Sequence, residues 1–241
     1  MYLGLDIGTS SVKAVLVDDS QTVIDQATAP LSVSRLKPLW SEQDPQEWWR
    51  STNQAVLKLD ERVRSSVKAI GLSGQMHGAT CLDSNDQVIR PAILWNDGRS
   101  NSNCNAMMNQ MPSLKNITGN LAMPGFTAPK LHWMSENEPE HFDRISKVLL
   151  PKDYVRFLMS GDYASDQSDS AGTLWLNVSK RDWSDEILEL TNLTRSHMPN
   201  LFEGSEATGV LTKKVANDWG MSQVPIAAGG GDNAAGAVGV G

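Results

Sequence analysis

The stretch that decides the fold is YLGLDIGTSSVKAVLV, residues 2–17. Two apolar runs, 2–7 and 12–17, flank a turn of glycine and hydroxyl residues. A second turn at 18–20 leads into a third run over 22–27. Because β-branched residues and turn clusters recur at these short intervals, the sequence predicts consecutive antiparallel hairpins.

A helix is predicted after the hairpins. Asp44 suits the N-cap, Pro45 the first helical position, and Glu47 completes a capping-box pattern. The residues predicted to form its buried face are Trp48, Thr52, Ala55, Val56 and Leu59. A buried strand over 67–72 follows and ends in the segment SGQMHG, residues 73–78. The chain therefore changes from hairpins to an alternation of helices and strands.

The remaining elements are shorter. They are a small hairpin over 81–89, a strand at 147–150, and helices near 128–136, 153–160, 184–190 and 212–219. Gly161 is predicted to end one of these helices. A strand over 224–228 then turns through GGGDN, residues 229–233, into a last helix. Together these elements predict an α/β fold, a mixed sheet flanked by helices.

Composition limits the function classes. Of 241 residues, 40% are hydrophobic and 20% charged, which is typical of a globular rather than a disordered chain. The formal charge of −7 argues against nucleic-acid binding, which needs a basic face. No segment has the ~20 apolar residues that span a bilayer. Cys81 and Cys104 are too few for a disulfide framework, so we expect a cytoplasmic protein.

The first turn is a candidate phosphate site. Gly8, Thr9 and Ser10 follow Asp6 at a strand end, where backbone N–H groups and the Thr9 and Ser10 hydroxyls could bind phosphate. Asp6 could then hold a hydrated Mg²⁺, which is commonly bound by one or two carboxylates together with phosphate oxygens. The alternative is an ordinary hairpin in which the aspartate caps its own turn.

The glycine run near the end is a candidate catalytic segment. Glycines at 229–231 allow a ligand to approach the backbone closely. Asp232 follows at the end of a strand and the start of a helix, where open α/β sheets bind ligands. Its carboxylate could accept a proton from a substrate hydroxyl. The alternative is that Asp232 is simply the N-cap of the last helix.

Two further segments suit a polyol. Gln75 and His77 supply hydrogen-bonding groups around Met76, an adaptable apolar wall. In the segment WNDGR, residues 95–99, an aromatic ring, polar acceptors and a guanidinium could line a sugar pocket. The alternatives are a structural histidine and a surface turn, in which Asp97 and Arg99 form a solvated pair worth less than about 1 kcal/mol.

These segments together resemble the FGGY carbohydrate kinases, most closely their bacterial xylulokinase branch, across essentially the whole chain. The segments that carry the resemblance are YLGLDIGTS at 2–10, LWSEQDP at 39–45, GQMHG at 74–78, LWNDGR at 94–99 and GGGDNAAG at 229–236. The first is shared widely among actin-like ATPases, and the third points more narrowly to the xylulokinase branch.

The resemblance implies an actin-like, ribonuclease-H-like fold with an inserted substrate-side region. It implies transfer of the γ-phosphoryl group of ATP, with Mg²⁺, to O5 of D-xylulose, with Asp232 as the general base. The implied sugar contacts are Met76, His77, Asp232 and Asn233, with Gln75, Asp97 and Arg99 as further sugar-side or structural candidates. Phosphate and Mg²⁺ would be held around Asp6, Gly8, Thr9 and Ser10.

Members of this family also have a second actin-like domain, which carries most of the adenosine site. We expect residues 1–241 to be the N-terminal, sugar-binding domain, with little activity alone because half of the phosphate cradle is missing. Three alternatives stay open: a kinase of another ketose or polyol such as ribulose, a non-catalytic sugar-binding module, and an actin-like ATPase with a protein partner. The sequence leaves the oligomeric state open, a homodimer included.

Overall fold

The computed structural model describes all of residues 1–241. The strands are β1 (Tyr2–Ile7), β2 (Ser11–Val17), β3 (Val23–Pro30), β4 (Glu42–Gln43), β5 (Ala69–Gly74), β6 (Thr80–Leu82), β7 (Ala92–Ile93), β8 (Lys147–Leu149), β9 (Ala164–Asp166), β10 (Leu176–Asn177), β11 (Asp182–Trp183), β12 (Asn200–Phe202), β13 (Ala207–Val210), β14 (Pro225–Ala227) and β15 (Gly230–Gly231). The α-helices are α1 (Pro45–Leu57), α2 (Glu61–Arg64), α3 (Asn101–Gln110), α4 (Leu114–Thr118), α5 (Thr127–Asn137), α6 (Pro139–Phe142), α7 (Pro151–Ser160), α8 (Gln167–Ala171), α9 (Asp185–Leu190), α10 (Lys213–Trp219) and α11 (Asp232–Val240), and Arg195–His197 form a 3₁₀ turn.

A seven-stranded mixed sheet is the centre of the molecule. Its order is β13-β14-β5-β1-β2-β3, and β15 also pairs with β5. The first three strands are antiparallel hairpins, whereas β5 runs parallel to β1. β14 and β15 run parallel to β5, and β13 is antiparallel to β14. The predicted hairpins and mixed sheet are confirmed.

The two faces of the sheet differ. Leu3, Leu5 and Ile7 alternate along β1 and are buried in a core shared with α1, α7 and α10. Gly4 and Asp6 point to the opposite face, because successive side chains in a strand alternate. That opposite face, at β1 and β5, is where the site described below lies.

Helix α1 begins as the sequence predicts, with one exception. Asp44 caps it by accepting a hydrogen bond from Gln46 N at 2.9 Å, and Pro45 is the first helical residue. The predicted buried face is confirmed for all five residues. The predicted capping box is wrong, because the Glu47 carboxylate instead accepts hydrogen bonds from the Ser32 hydroxyl at 2.8 and 3.0 Å. A tertiary partner has replaced the local one.

A second apolar core lies beside the sheet. It is built from β6, β8, α3, α5 and α9 and contains 20 buried residues, against 28 in the core under the sheet. The predicted helices near 128–136, 153–160, 184–190 and 212–219 correspond to α5, α7, α9 and α10, with ends within two residues. Gly161 ends α7 with a φ of +84°, as predicted. None of the helices has the length and apolarity that crossing a bilayer requires.

Candidate functional site

Two acidic residues that are far apart in sequence, Asp6 and Asp232, lie at the carboxyl ends of strands in the central sheet. The register pairs Asp6 of β1 with Ser73 of β5, and Ser73 in turn with Gly230 of β15. Asp232 follows β15 directly and Asp6 is the last residue but one of β1, so both lie at the same end of the strands β1, β5 and β15. Burial and the negative charge of Asp232 raise the pKa of Asp6, while Ser73 and Lys13 partly offset this effect.

An open cleft of about 840 Å³ covers this part of the sheet. Asp6 and Lys13 line it from β1 and β2, and Gly229 and Gly230 line it from the glycine loop. Asp232 is exposed at the start of α11, a helix whose next turn also lines the cleft. Asp6 therefore lines the cleft itself, whereas Asp232 does not line it but begins the helix whose next residues, Ala234 and Ala235, do.

The β1–β2 turn offers an anion its backbone rather than the Thr9 side chain. The Thr9 hydroxyl accepts a hydrogen bond from Trp95 Nε1 at 3.0 Å and donates one to Gln75 Oε1 at 3.1 Å. It is therefore occupied within the chain, contrary to the prediction that it binds phosphate. Ser10 is exposed. The backbone N–H groups of Thr9 and Ser10 make no hydrogen bond within the chain, which leaves them available to a phosphate.

Gln75 faces this turn and not the solvent. It is only 1% exposed, and its Nε2 donates to Gly8 O at 3.1 Å and to Gln43 Oε1 at 2.8 Å. Both amide hydrogens are thereby used. The structure gives Gln75 a part in holding the turn instead of the sugar contact that the sequence predicts.

His77 is held in an unusual backbone conformation. Its φ is +66°, a left-handed geometry that costs a non-glycine residue roughly 1–2 kcal/mol. Its carbonyl oxygen accepts hydrogen bonds from Lys130 Nζ at 2.8 Å and from Thr127 Oγ1 at 3.2 Å. Both donors come from the first turn of α5, so this helix stabilises the turn that presents His77.

The imidazole of His77 has one defined tautomer. Nδ1 lies 2.6 Å from the carbonyl oxygen of Gly172, which can only accept, so Nδ1 carries the proton. Burial, and then the positive charge of Lys130, lower the pKa of His77 to about 4. The ring is therefore neutral at pH 7, and Nε2 has a free lone pair that can accept a hydrogen bond from a hydroxyl.

The glycine loop requires glycine at position 229. Gly229 has a φ of +76°, and a Cβ there would lie 1.9 Å from Leu72 O. Asp232 is the first residue of α11, so the N-cap is Gly231 and not Asp232. The Asp232 carboxylate accepts one hydrogen bond, from Asn233 N at 2.8 Å, and both residues are exposed.

The glycine loop and the segment GQMHG contact each other. A Cβ on Gly231 would lie 2.7 Å from Met76 Cγ, and one on Gly172 would lie 2.5 Å from His77 Cε1. Asn233 Nδ2 lies 3.8 Å from Met76 Sδ. The fold therefore gathers Met76, His77 and the start of α11 at one place. Gly172 was not predicted, since nothing in its local sequence marks a close approach.

Asp97 and Arg99 form a buried pair, not a solvated one at a surface turn. The Asp97 carboxylate accepts hydrogen bonds from Ser41 N at 2.6 Å and from Arg99 Nη2 at 2.7 Å. The Arg99 guanidinium also pairs with Glu42 at 2.7 Å and stacks 3.6 Å from the centre of the Trp40 ring. The Asp97 side chain is buried and its carboxylate is already bonded to Ser41 N and Arg99, so the structure supports an organising role and not the predicted sugar contact.

A buried ionic cluster lies under the glycine loop and was not predicted. Lys152 Nζ lies 2.7 Å from carboxylate oxygens of Asp153 and Asp166, and 3.2 Å from one of Asp169. Arg156 Nη2 binds Asp153 and donates to the carbonyl oxygen before the glycines at 2.8 Å. The sequence signal was the charged residues within the apolar pattern of α7. The cluster anchors the loop that carries Asp232.

Asp6 fits a magnesium ion held partly by a substrate. The chain contains no group of three or more His, Cys, Asp or Glu side chains at metal-ligand spacing. Mg²⁺ instead tends to keep several waters and to use one or two carboxylates plus phosphate oxygens. Asp6, exposed in the cleft beside the β1–β2 turn, would supply one such carboxylate.

Comparison with known proteins defines the family. Residues 1–239 match the family model for the FGGY family of carbohydrate kinases, N-terminal domain. The chain therefore belongs to the FGGY family of carbohydrate kinases. Its structural neighbours are FGGY sugar kinases, which have an actin-like ATPase fold. The predicted family resemblance and fold class are confirmed.

Similar proteins are about twice as long as this chain. The xylulose kinase of Escherichia coli (strain K12) is 57% identical over 242 residues, which cover 100% of this chain and 50% of that protein. A "xyloylose kinase" structure from Brucella ovis has 50% identity and a TM-score of 0.92, covering 97% of this chain and 49% of that one. The xylulose kinase structure from Rhodospirillum rubrum has 26% identity and a TM-score of 0.94, covering 99% and 50%. The chain spans about half the length of the curated relatives it matches.

Proposed function

We propose that this chain is the sugar-binding N-terminal domain of a kinase that transfers the γ-phosphoryl group of ATP to O5 of D-xylulose. The observation that carries the proposal is that Asp6 and Asp232 lie at the same end of β1 and β15, the two strands that flank β5. One carboxylate stands beside a turn with free backbone N–H groups, and the other stands beside Met76 and His77. Relatives named xylulose kinase, at up to 57% identity, favour D-xylulose as the acceptor.

The sugar binds, in this proposal, between the GQMHG segment and the start of α11. His77 Nε2 accepts a hydrogen bond from one sugar hydroxyl, and Asn233 offers both a donor and an acceptor. Met76 provides an apolar wall against the carbon skeleton. Asp232 then lies within reach of the hydroxyl that receives the phosphoryl group.

Transfer needs a base beside that hydroxyl. The Asp232 carboxylate takes the O5 proton while the bond from O5 to the γ-phosphorus forms. The bond from that phosphorus to the bridging oxygen breaks at the same time, giving D-xylulose 5-phosphate and ADP.

The phosphate side acts by charge and position. The N–H groups of Thr9 and Ser10 bind oxygens of the transferred group, and Asp6 holds Mg²⁺. The metal, when bound, neutralises negative charge on the phosphate oxygens.

We further propose a second domain, a reducing compartment and a homodimer for the intact protein. The chain has half the length of its relatives, which supports a second domain that carries most of the adenosine site and a low activity of residues 1–241 alone. The two cysteines are free and buried, which supports a reducing compartment such as the cytoplasm. A homodimer stays a prediction.

The test is Asp232→Asn in the full-length protein, with the exposed Asp218→Asn as a control. Because a general base contributes typically 10²–10⁴-fold, we expect sugar-dependent ADP release to fall by at least about 10²-fold. The dissociation constant for D-xylulose should change by less than about threefold, since the substitution keeps the side-chain shape.

A panel of D-xylulose, ribulose, glycerol and gluconate identifies the acceptor. Near-normal turnover by Asp232→Asn would show that another group is the base. Sugar affinity without ADP release by the unmodified protein would instead identify a non-catalytic sugar-binding module.

A further inference from the structure

The β1–β2 turn presents its N–H groups outward because its carbonyl groups are held inward. Gly8 O accepts a hydrogen bond from Gln75 Nε2 at 3.1 Å, and Thr9 O accepts one from Gln43 Nε2 at 2.7 Å. In a trans peptide the carbonyl of one residue and the N–H of the next point in opposite directions. The Thr9 N–H therefore points away from Gln75, and the Ser10 N–H points away from Gln43.

The Gln43 amide has no freedom to rotate. Its side chain is buried, and Nε2 donates a second hydrogen bond to Ser32 O at 3.1 Å. Its Oε1 accepts from Trp48 Nε1 at 3.0 Å and from Gln75 Nε2 at 2.8 Å. The indole N–H can only donate, so Oε1 must face Trp48 and Nε2 must face the turn. All hydrogen-bonding positions of the amide are filled.

We propose that Gln43 is a positioning residue of the phosphate site: with Gln75 it fixes the two peptide units whose N–H groups bind the transferred phosphate. The inference rests on the proposed function. Only a glutamine of this length both donates to Thr9 O and accepts from Trp48. A glutamate would place an oxygen against the Thr9 carbonyl and repel it, whereas a methionine would leave that carbonyl free to turn outward.

The proposal also explains why Gln75 is buried next to the half-buried sugar-side residues Met76 and His77. Gln75 leaves β5 immediately before Met76 and His77, so one segment supports the phosphate turn and the sugar wall together. The Thr9 hydroxyl, between Gln75 and Trp95, adds a third connection to the same turn. Loss of Gln43 should therefore affect the phosphate more than the sugar.

The test compares Gln43→Glu and Gln43→Met in the full-length protein with Thr52→Val as the matched control. Thr52 is buried on α1 and donates to Trp48 O at 2.7 Å, so its replacement removes one buried hydrogen bond without touching the turn. Because loss of one preorganised donor costs about 10²–10³-fold in kcat, we expect kcat/KM for ATP to fall at least about tenfold in both Gln43 variants. The dissociation constant for D-xylulose should change less than about threefold.

Gln43 variants that melt like Thr52→Val and keep normal kcat/KM for ATP would overturn the proposal while leaving the proposed function intact. A wild type without sugar-dependent ADP release would refute the proposed function instead. If the wild type is inactive, or if the variants fail to fold, an NMR measurement that needs no catalysis tests the role of Gln43. In ¹⁵N-labelled wild type, inorganic phosphate should shift the Thr9 and Ser10 amide signals, and the Gln43 side-chain amide should exchange slowly. Unshifted signals or a rapidly exchanging Gln43 amide would reject the proposal.

Discussion

At the scale of single residues, the backbone conformation and the side chain of His77 favour different replacement amino acids. Its left-handed backbone favours asparagine among the alternatives, because a short polar side chain tolerates positive φ. Its free Nε2 favours glutamine, whose longer side chain can place an oxygen where Nε2 lies. Asparagine can also keep the hydrogen bond that Nδ1 of His77 donates to Gly172 O.

These requirements predict that His77→Asn is the more stable variant and that His77→Gln binds the sugar better. We expect His77→Asn to melt close to the wild type but to raise KM for D-xylulose about two- to tenfold, because the lost hydrogen bond is worth roughly 0.5–1.5 kcal/mol. His77→Gln should melt lower and bind the sugar better than His77→Asn. Melting temperatures and KM values, measured side by side, check both orders. A single variant that is better on both measures would contradict the assigned tautomer.

The residue types of the site could be predicted from sequence, but not all of their partners. Asp6 and Asp232 stand next to glycines at strand ends, a local signal that needs no tertiary information. The Thr9 hydroxyl and the Gln75 amide look like ligand groups in sequence. Trp95 nevertheless occupies the hydroxyl from 86 residues away, and Gln43 occupies the amide from 32 residues away. Such long-range partners leave no mark in a local pattern.

At the scale of elements, α7 shows how buried charge anchors a loop. Lys152 holds three carboxylates, one from α7 itself and two from around α8, and Arg156 binds the carbonyl before the glycines. Burial, opposed by Lys152 and assisted by the neighbouring aspartates, raises the pKa of Asp169 to about 7. Since the unfolded value is near 3.8, the folded protein binds this proton more tightly.

Stability contributed by this proton is therefore present below about pH 4 and lost as pH rises to about 7. We expect the difference in free energy of unfolding between wild type and Asp169→Asn to fall over pH 5 to 7, by at most about 1.4 kcal/mol per pH unit. Using the difference removes the opposite contribution of His77, whose lowered pKa makes stability rise with pH between about 4 and 6.5. Urea unfolding at several pH values, with Asp218→Asn as the exposed control, measures it. A pH-independent difference would mean that Asp169 does not titrate in this range.

The ends of helices were predictable from sequence where no distant residue competed with the local capping signal. The start and buried face of α1 follow from Asp44, Pro45 and apolar spacing, and Gly161 ends α7 because glycine adopts the left-handed cap. The capping box failed because Ser32 competes for Glu47 across the fold. The short helices between residues 100 and 205 could be placed only approximately.

At the scale of the whole molecule, two apolar cores meet along the short strands β6, β7 and β8. Val148 belongs to the second core and its neighbour Leu149 to the core under the sheet, because β8 presents alternate residues to opposite sides. The alternation of strands and helices predicted the sheet and its core. It did not predict the second core, whose short helices have no long periodic pattern.

Separate cores predict separate responses to cavities. Ile187 on α9 is fully buried in the second core, and Ile70 on β5 is 1% exposed in the first. Each Ile→Ala substitution should lower the free energy of unfolding by about 2–5 kcal/mol. We expect Ile187→Ala to speed amide hydrogen exchange in α3, α5 and α9 while β1, β2 and β5 stay protected, because only the second core loses contacts. Ile70→Ala, the matched variant, should speed exchange in the sheet. Equal acceleration in both regions for both variants would show that the two cores unfold as one cooperative unit.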